Sequence, residues 1–294
     1  MRTAVVHSLG QFTPVFVEKA TGDQLAPQLE KDHGGVDPDP RLAEYVGFVG
    51  KRLVPFSPRA REIPHTFKVL KSEKIVNAFA LGNGNVYVTR AILALMDDES
   101  ELAEILGHEV GHVAHRHIGK RIDQAVGLSV LLATAQAVYA ARKGGELSAR
   151  DQGLVDAANE VVPAVVLNGF GREQELESDA SGLGYMVKAG YDPLGSVRVF
   201  QRFQKLEPEV SGLAVFFRSH PTAKTRVGLL EESVRKKYPG VEGERFRDRY
   251  QAIVKGGRSL SDVGEGRVLG MKPVVAVAAG SALALGVVLL VLSV

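Results

Sequence analysis

The sequence contains no cysteine among its 294 residues. That absence excludes disulfides, thiolate metal ligands and a cysteine nucleophile, while leaving the compartment open. Excess charge is nearly absent too: 36 Lys and Arg face 34 Asp and Glu, a formal net charge of +2. With no basic cluster interleaved with aromatics, nucleic acid is not an expected partner. Met1 to Gln11 carries a single arginine and no apolar core of signal-peptide length, which argues against export. No short-period repeat or low-complexity block is present. What remains is an ordinary globular composition, 45% hydrophobic and 24% charged, sufficient for one substantial core.

Against this background one short stretch stands out. Residues 108 to 112 read His-Glu-Val-Gly-His. On a helix, positions i and i+4 share a face about 6 Å apart, so His108 and His112 can both turn a ring nitrogen toward one Zn²⁺. Glu109 lies beside them, placed to act as general base. The flanking sequence agrees with a helix: Asp97, Asp98 and Ser100 offer caps, and Leu102, Ile105, Leu106, Val110 and Val113 form an apolar stripe. A partly buried helix carrying a metal-dependent hydrolytic site is therefore expected.

A third ligand has to come from elsewhere. The metzincin spacing requires Gly and His where this chain has His115 and Ile118. His115 itself stands about 10 Å along the axis from His108, too far to share an ion with it, and is expected to be a surface or packing residue. The segment Gly171-Arg-Glu-Gln-Glu-Leu-Glu-Ser-Asp-Ala180 opens a second expected helix that runs to about Ala189 and stops at Gly190. Within it Glu175 and Asp179 are i and i+4 on one face, whereas Glu177 points about 160° away from Glu175. Glu175 is thus the candidate third ligand, and Asp179 is placed to orient a ligand histidine from behind.

These residues carry a family resemblance. The His-Glu-x-x-His helix followed by His115-Arg116-His117, the later Glu175-x-x-x-Asp179, and the segments Lys31-Asp-His-Gly-Gly-Val-Asp-Pro-Asp-Pro40, Asn77-Ala-Phe-Ala-Leu-Gly-Asn-Gly-Asn-Val-Tyr-Val-Thr-Arg90 and Ser219-His-Pro-Thr-Ala-Lys-Thr-Arg226 resemble the gluzincin metallopeptidases related to the CAAX prenyl protease and HtpX. Within that family the likeness is to the BepA-like and mitochondrial Oma-like quality-control branch, and it covers roughly Leu29 to Lys237. The resemblance implies one Zn²⁺ per chain held by His108, His112 and Glu175, with Glu109 as base and Asp179 in support. It further implies that His220 and Arg226 approach the active site. His220 is then either a donor to the oxyanion or a latch over the metal's open position, and Arg226 stabilises developing negative charge.

The segment Ile75 to Thr89 is expected to be a β-hairpin turning at Gly82-Asn-Gly84. A strand beside a peptidase cleft can pair with an extended substrate through its main chain. The resemblance assigns that role to Ala78, Phe79, Ala80 and Leu81.

The expected fold is mainly α with a small β-sheet (α+β), built around a zincin-type active-site helix and ending in a transmembrane helix. The expected organisation is an N-terminal extension over 1–28, a metallopeptidase domain over 29–255, a linker over 256–272 and a transmembrane tail anchor over 273–294. Pro273 to Val294 has no charged residue in 22 positions, long enough to span a bilayer. Arg267 and Lys272 precede it and no positive charge follows, which by the positive-inside rule places the catalytic domain in the cytoplasm; the periplasm is the alternative if a signal sequence is missing. The apolar stretch Ala125 to Ala141 is expected to be a core helix or one dipping into the bilayer surface, without spanning it.

The expected function is membrane-anchored zinc endopeptidase, with polypeptide substrates that are misfolded or membrane-associated. Two alternatives are a chaperone-like binding protein that cleaves little and a non-peptidase zinc hydrolase.

Overall fold

Asp39 and Pro40 illustrate how locally this chain sets its helix starts: the Asp39 carboxylate accepts the Arg41 N–H at 3.0 Å, and Pro40 stands at the first helical position, where no N–H is needed. The computed structural model describes residues 13–123, 169–220 and 223–263. In chain order these form α1 (Val15–Asp32), α2 (Pro40–Leu53), β1 (Thr66–Leu70), β2 (Ala78–Ala80), β3 (Asn85–Thr89), α3 (Arg90–Leu95), α4 (Glu99–Ala114), α5 (Arg172–Lys188), α6 (Leu194–Leu206), α7 (Leu213–Ser219) and α8 (Ala223–Lys237). Short helical turns follow at Arg247–Tyr250, Gln251–Lys255 and Leu260–Val263.

The sheet has strand order β1-β3-β2, with β1 parallel to β3 and β2 antiparallel to it. The expected hairpin is β2 and β3, and it turns through Gly84 at φ +88°, a backbone conformation that glycine adopts without strain. Leu81 donates to Asn85 O at 2.9 Å and Thr89 donates to Asn77 O at 3.0 Å. In an antiparallel ladder this alternation aims the main-chain groups of Ala78 and Ala80 away from β3, toward the free edge of the sheet. One face of the sheet, with Ala78, Ala80, Val86 and Val88, joins the main core. The opposite face, with Phe79, Leu81 and Tyr87, packs with Val17, Ala26 and Leu29 of α1.

Helix α4 starts at the Asp98 cap, whose side chain accepts the Glu101 N–H at 3.1 Å. All of its residues are buried, more than the expected apolar stripe suggested, because α2, α5, α6 and the sheet surround it. Its contact with α5 runs along a seam of glycines. A Cβ on Gly107 would stand 3.0 Å from Gly182 Cα, one on Gly111 3.0 Å from Ser178 Cα, and one on Gly182 2.7 Å from His108 N. The helices therefore meet at nearly backbone distance, which is what brings Glu175 and Asp179 up to His108. Helix α5 ends as expected, with Gly190 at φ +85° and its N–H on Val187 O at 2.9 Å.

Both ends of α4 are held by charge. At the N-terminal end the buried Glu99 carboxylate accepts Tyr45 Oη and Tyr191 Oη, each at 2.8 Å, and Arg249 Nε at 2.6 Å. Arg245 Nε donates to Asp98 Oδ2 at 2.7 Å. At the C-terminal end Arg59 donates through Nη1 both to Val113 O and to Glu18 Oε2, at 2.9 Å each, while Arg116 Nε donates to Glu18 Oε1 at 2.7 Å.

The observed fold is mainly helical with a small three-stranded sheet, as expected. It departs from expectation over the membrane. No helix among the described residues is long and apolar enough to cross a bilayer, so the transmembrane helix in the expected fold, and the single-pass membrane location with a cytoplasmic catalytic domain that rested on it, are withdrawn. The apolar runs 273–294 and 125–141 lie outside the described residues.

Candidate metal centre

His108 and His112 sit one turn apart on α4, with their Nε2 atoms 2.9 Å from each other. The glycine seam sets Glu175 against both: its Oε2 lies 3.5 Å from His108 Nε2 and its Oε1 3.5 Å from His112 Nε2. His220, just past α7, completes a buried group in which one ligand atom from each of His108, His112, Glu175 and His220 lies within 4.8 Å of all the others. Its Nδ1 is 3.3 Å from Glu175 Oε2, and its Nε2 lies 3.4 Å from Glu109 Oε1 and 3.1 Å from Ala78 O.

Behind these residues stands a supporting layer. His108 Nδ1 donates to Asp179 Oδ1 at 2.9 Å, which leaves its Nε2 free to face the pocket. Arg226, fully buried on α8, donates through Nε to Asp179 Oδ2 at 2.7 Å and through Nη1 to Glu175 Oε2 at 3.1 Å. Its guanidinium also lies 4.3 Å from the Phe200 ring centroid. On the other side Phe170 stacks on His112, with ring centroids 4.0 Å apart.

Burial and charge together shape the protonation of the group. Burial pushes the Glu109 carboxyl upward, with His220 and His108 opposing. Burial also acts upward on Glu175 and Asp179, but it is outweighed, by His220 and Arg226 at Glu175 and by Arg226 and His108 at Asp179, so both stay below the ordinary carboxylate range. His112 is held far down by burial and then by His108. Glu104, one turn before His108, has neither carboxylate oxygen hydrogen-bonded, and burial followed by Asp179 drives its carboxyl well above the usual range.

A divalent cation fits this environment. Two imidazole nitrogens facing each other at 2.9 Å need a proton or a cation between them. Glu175 Oε1 and Glu109 Oε2 are buried without a hydrogen-bond partner. Tetrahedral zinc with bonds of about 2.0–2.1 Å separates its ligand atoms by roughly 3.3 Å, close to the 2.9, 3.5 and 3.5 Å found among His108, His112 and Glu175.

The sequence pattern of Peptidase family M48 matches residues 40–234. The chain belongs to that family. Among its M48 relatives, the "Beta-barrel assembly-enhancing protease" of Yersinia pestis is 28% identical over 231 residues, covering 75% of this chain and 44% of that protein. The "Mitochondrial metalloendopeptidase OMA1" of Schizosaccharomyces pombe is 30% identical over 190 residues, covering 64% of this chain and 52% of that protein. The "Metalloprotease LoiP" of Escherichia coli is 31% identical over 163 residues, or 55% of this chain and 60% of that protein. The chain thus spans less than half of the Yersinia relative and about half of the mitochondrial one.

Of the candidates taken from the sequence, His108, Glu109, His112, Glu175, Asp179, His220 and Arg226 come together in this buried group, and Ala78 joins it through its carbonyl. Phe79 and Leu81 instead point into the cluster under α1. His115 stands apart, with its Nε2 2.7 Å from Ser181 Oγ. Two residues given no role from sequence make ring contacts with His112. One is Phe170. The other is His117, whose Nδ1 is 2.8 Å from His112 Nδ1. Burial pulls the His117 imidazole down to about 4 despite its hydrogen bond to Glu177. The sequence offered it only within His115-Arg116-His117, with no role attached; the chain turns back toward His112 at Arg116, whose φ of +56° is a left-handed conformation uncommon outside glycine.

Proposed function

We propose that this M48 chain is a zinc-dependent endopeptidase that hydrolyses peptide bonds in misfolded polypeptides, a quality-control role. The buried constellation of His108, His112, Glu175 and Glu109 carries the reading. His108, His112 and Glu175 hold the ion, Asp179 fixes the ring of His108, and Arg226 ties Asp179 to Glu175. Zinc bound there supplies Lewis-acid polarisation of the scissile carbonyl and activation of the attacking water. Glu109 takes the proton of that water and returns it to the leaving amine, a task suited to a carboxylate raised by burial. The names of the relatives, a protease that enhances β-barrel assembly and a mitochondrial metalloendopeptidase, support the same activity.

Edge strand β2 favours a polypeptide over a small molecule, because the outward main-chain groups of Ala78 and Ala80 are those an extended chain would pair with. The hollow beside His112, Ala80 and Leu81 holds only ≈ 10 Å³. The test is zinc content and casein digestion by the full chain. One zinc per chain is expected, with digestion abolished by a chelator and restored by zinc. Zinc-loaded protein that leaves casein intact would favour the binding-protein alternative.

We read His220 as a latch over the site, a reading its contacts support. Its ring contacts the base Glu109, the ligand Glu175 and the carbonyl of Ala78 together, so it fills the place where a substrate strand would enter. His220→Ala is therefore expected to raise basal casein cleavage and self-cleavage. A fall in kcat of roughly a hundredfold instead would return His220 to the oxyanion-donor role.

A further inference from the structure

Three acidic side chains alternate along α5, Glu175, Glu177 and Asp179, and the proposed metal centre uses only the first and third. Glu177 lies on the other face and is half exposed, yet its Oε2 meets His117 Nε2 at 2.9 Å. His117 in turn meets His112. A line of hydrogen bonds thus runs from a proposed metal ligand to the protein surface.

We propose that His117, anchored by Glu177, is a positioning residue that fixes the ring plane and tautomer of His112. The inference rests on the metal-centre reading and extends it to the outer partner of the second histidine. If His112 presents the Nε2 lone pair to the ion, its proton sits on Nδ1. That Nδ1 faces His117 Nδ1 at 2.8 Å, and two ring nitrogens attract at this distance only when one donates and the other accepts. His117 Nδ1 is then the acceptor, its proton sits on Nε2, and the Glu177 carboxylate receives it. This arrangement satisfies both rings and leaves one lone pair aimed at the pocket.

His108 is oriented in a parallel way, since its Nδ1 donates directly to Asp179. The difference lies in reach. Asp179 touches its histidine directly, whereas Glu177 is on the far side of α5 and acts through one interposed imidazole. The His117 side chain is fully buried, so exchange with bulk water does not substitute for either contact. Phe170 holds the face of the His112 ring while His117 holds its edge.

The experiment uses the full chain and four variants: His117→Leu, His117→Asn, Glu177→Leu and, as a control on the same helix, Glu173→Gln. Zinc affinity is measured by chelator competition, the cobalt(II)-substituted protein by its visible spectrum, and the metal-free protein by thermal unfolding. His117→Leu should weaken zinc binding by about 10–100-fold and alter the cobalt bands. His117→Asn keeps an acceptor for His112 Nδ1 and should recover most of that loss. Glu177→Leu should weaken binding by roughly fivefold or more, and Glu173→Gln should match the parent.

Parent affinity and an unaltered cobalt spectrum in His117→Leu would overturn the proposal, as would failure of asparagine to rescue, which would mark a packing role. If His117→Leu does not fold, parent affinity in Glu177→Leu overturns it equally. A parent chain that binds no metal would defeat the metal-centre reading together with this extension of it; a parent that binds tightly alongside a tight His117→Leu variant would defeat only the extension.

Discussion

Glu109→Gln is expected to reduce casein cleavage by about 10²–10⁴-fold while the zinc content stays at the parent level. The glutamine has the same shape and leaves His108, His112 and Glu175 in place. It also cannot take a proton from water. One oxygen of Glu109 already lacks a hydrogen-bond partner, so exchanging carboxylate for amide sacrifices no bond at that atom. Elemental analysis beside the cleavage assay separates the two roles: loss of zinc in this variant would show that Glu109 helps hold the ion.

The second large effect is on stability. Arg226 is fully buried and binds Asp179 and Glu175 at once. Arg226→Met would leave both carboxylates buried without that cation, and breaking a buried pair by removing one partner typically costs about 3–5 kcal/mol. For a chain of this size that corresponds to a fall in unfolding midpoint on the order of 10 °C. The loss should be largest in metal-stripped protein, where no other cation offsets Glu175. Arg226→Lys should recover only part of it, because an ammonium cannot span the two carboxylates as the planar guanidinium does. A metal-free midpoint unchanged in Arg226→Met would show that the contacts seen here contribute little to folding.

The local parts of this structure were legible in the sequence because they follow from short-range chemistry. Asp98 caps α4, Gly190 stops α5, Gly84 turns the hairpin, and the 108/112 and 175/179 spacings each put two side chains on one helix face. Joining those faces depended on something hydropathy does not report. Gly107, Gly111 and Gly182 are unremarkable in pattern, and only their meeting across some 70 residues of chain lets α5 approach closely enough. His117 was hidden for a related reason, since its position depends on one left-handed residue that is not glycine. The membrane helix was inferred from an apolar run alone, and no helix among the described residues is long and apolar enough to cross a bilayer.

The charge clamps at the two ends of α4 bear on where this protein can be cut. The residues that match the family run from 40 to 234, yet Glu99 is held by Arg249 and Asp98 by Arg245, both beyond that stretch. At the other end, Arg59 and Arg116 are held by Glu18, which precedes it. Trimmed to the family boundaries, the chain would keep every proposed ligand of the ion but leave Glu99 without its guanidinium and Arg59 without Glu18. A fragment cut at those boundaries is therefore expected to unfold at a lower temperature than the full chain, because the contacts it loses lie at both ends of the helix that carries the site.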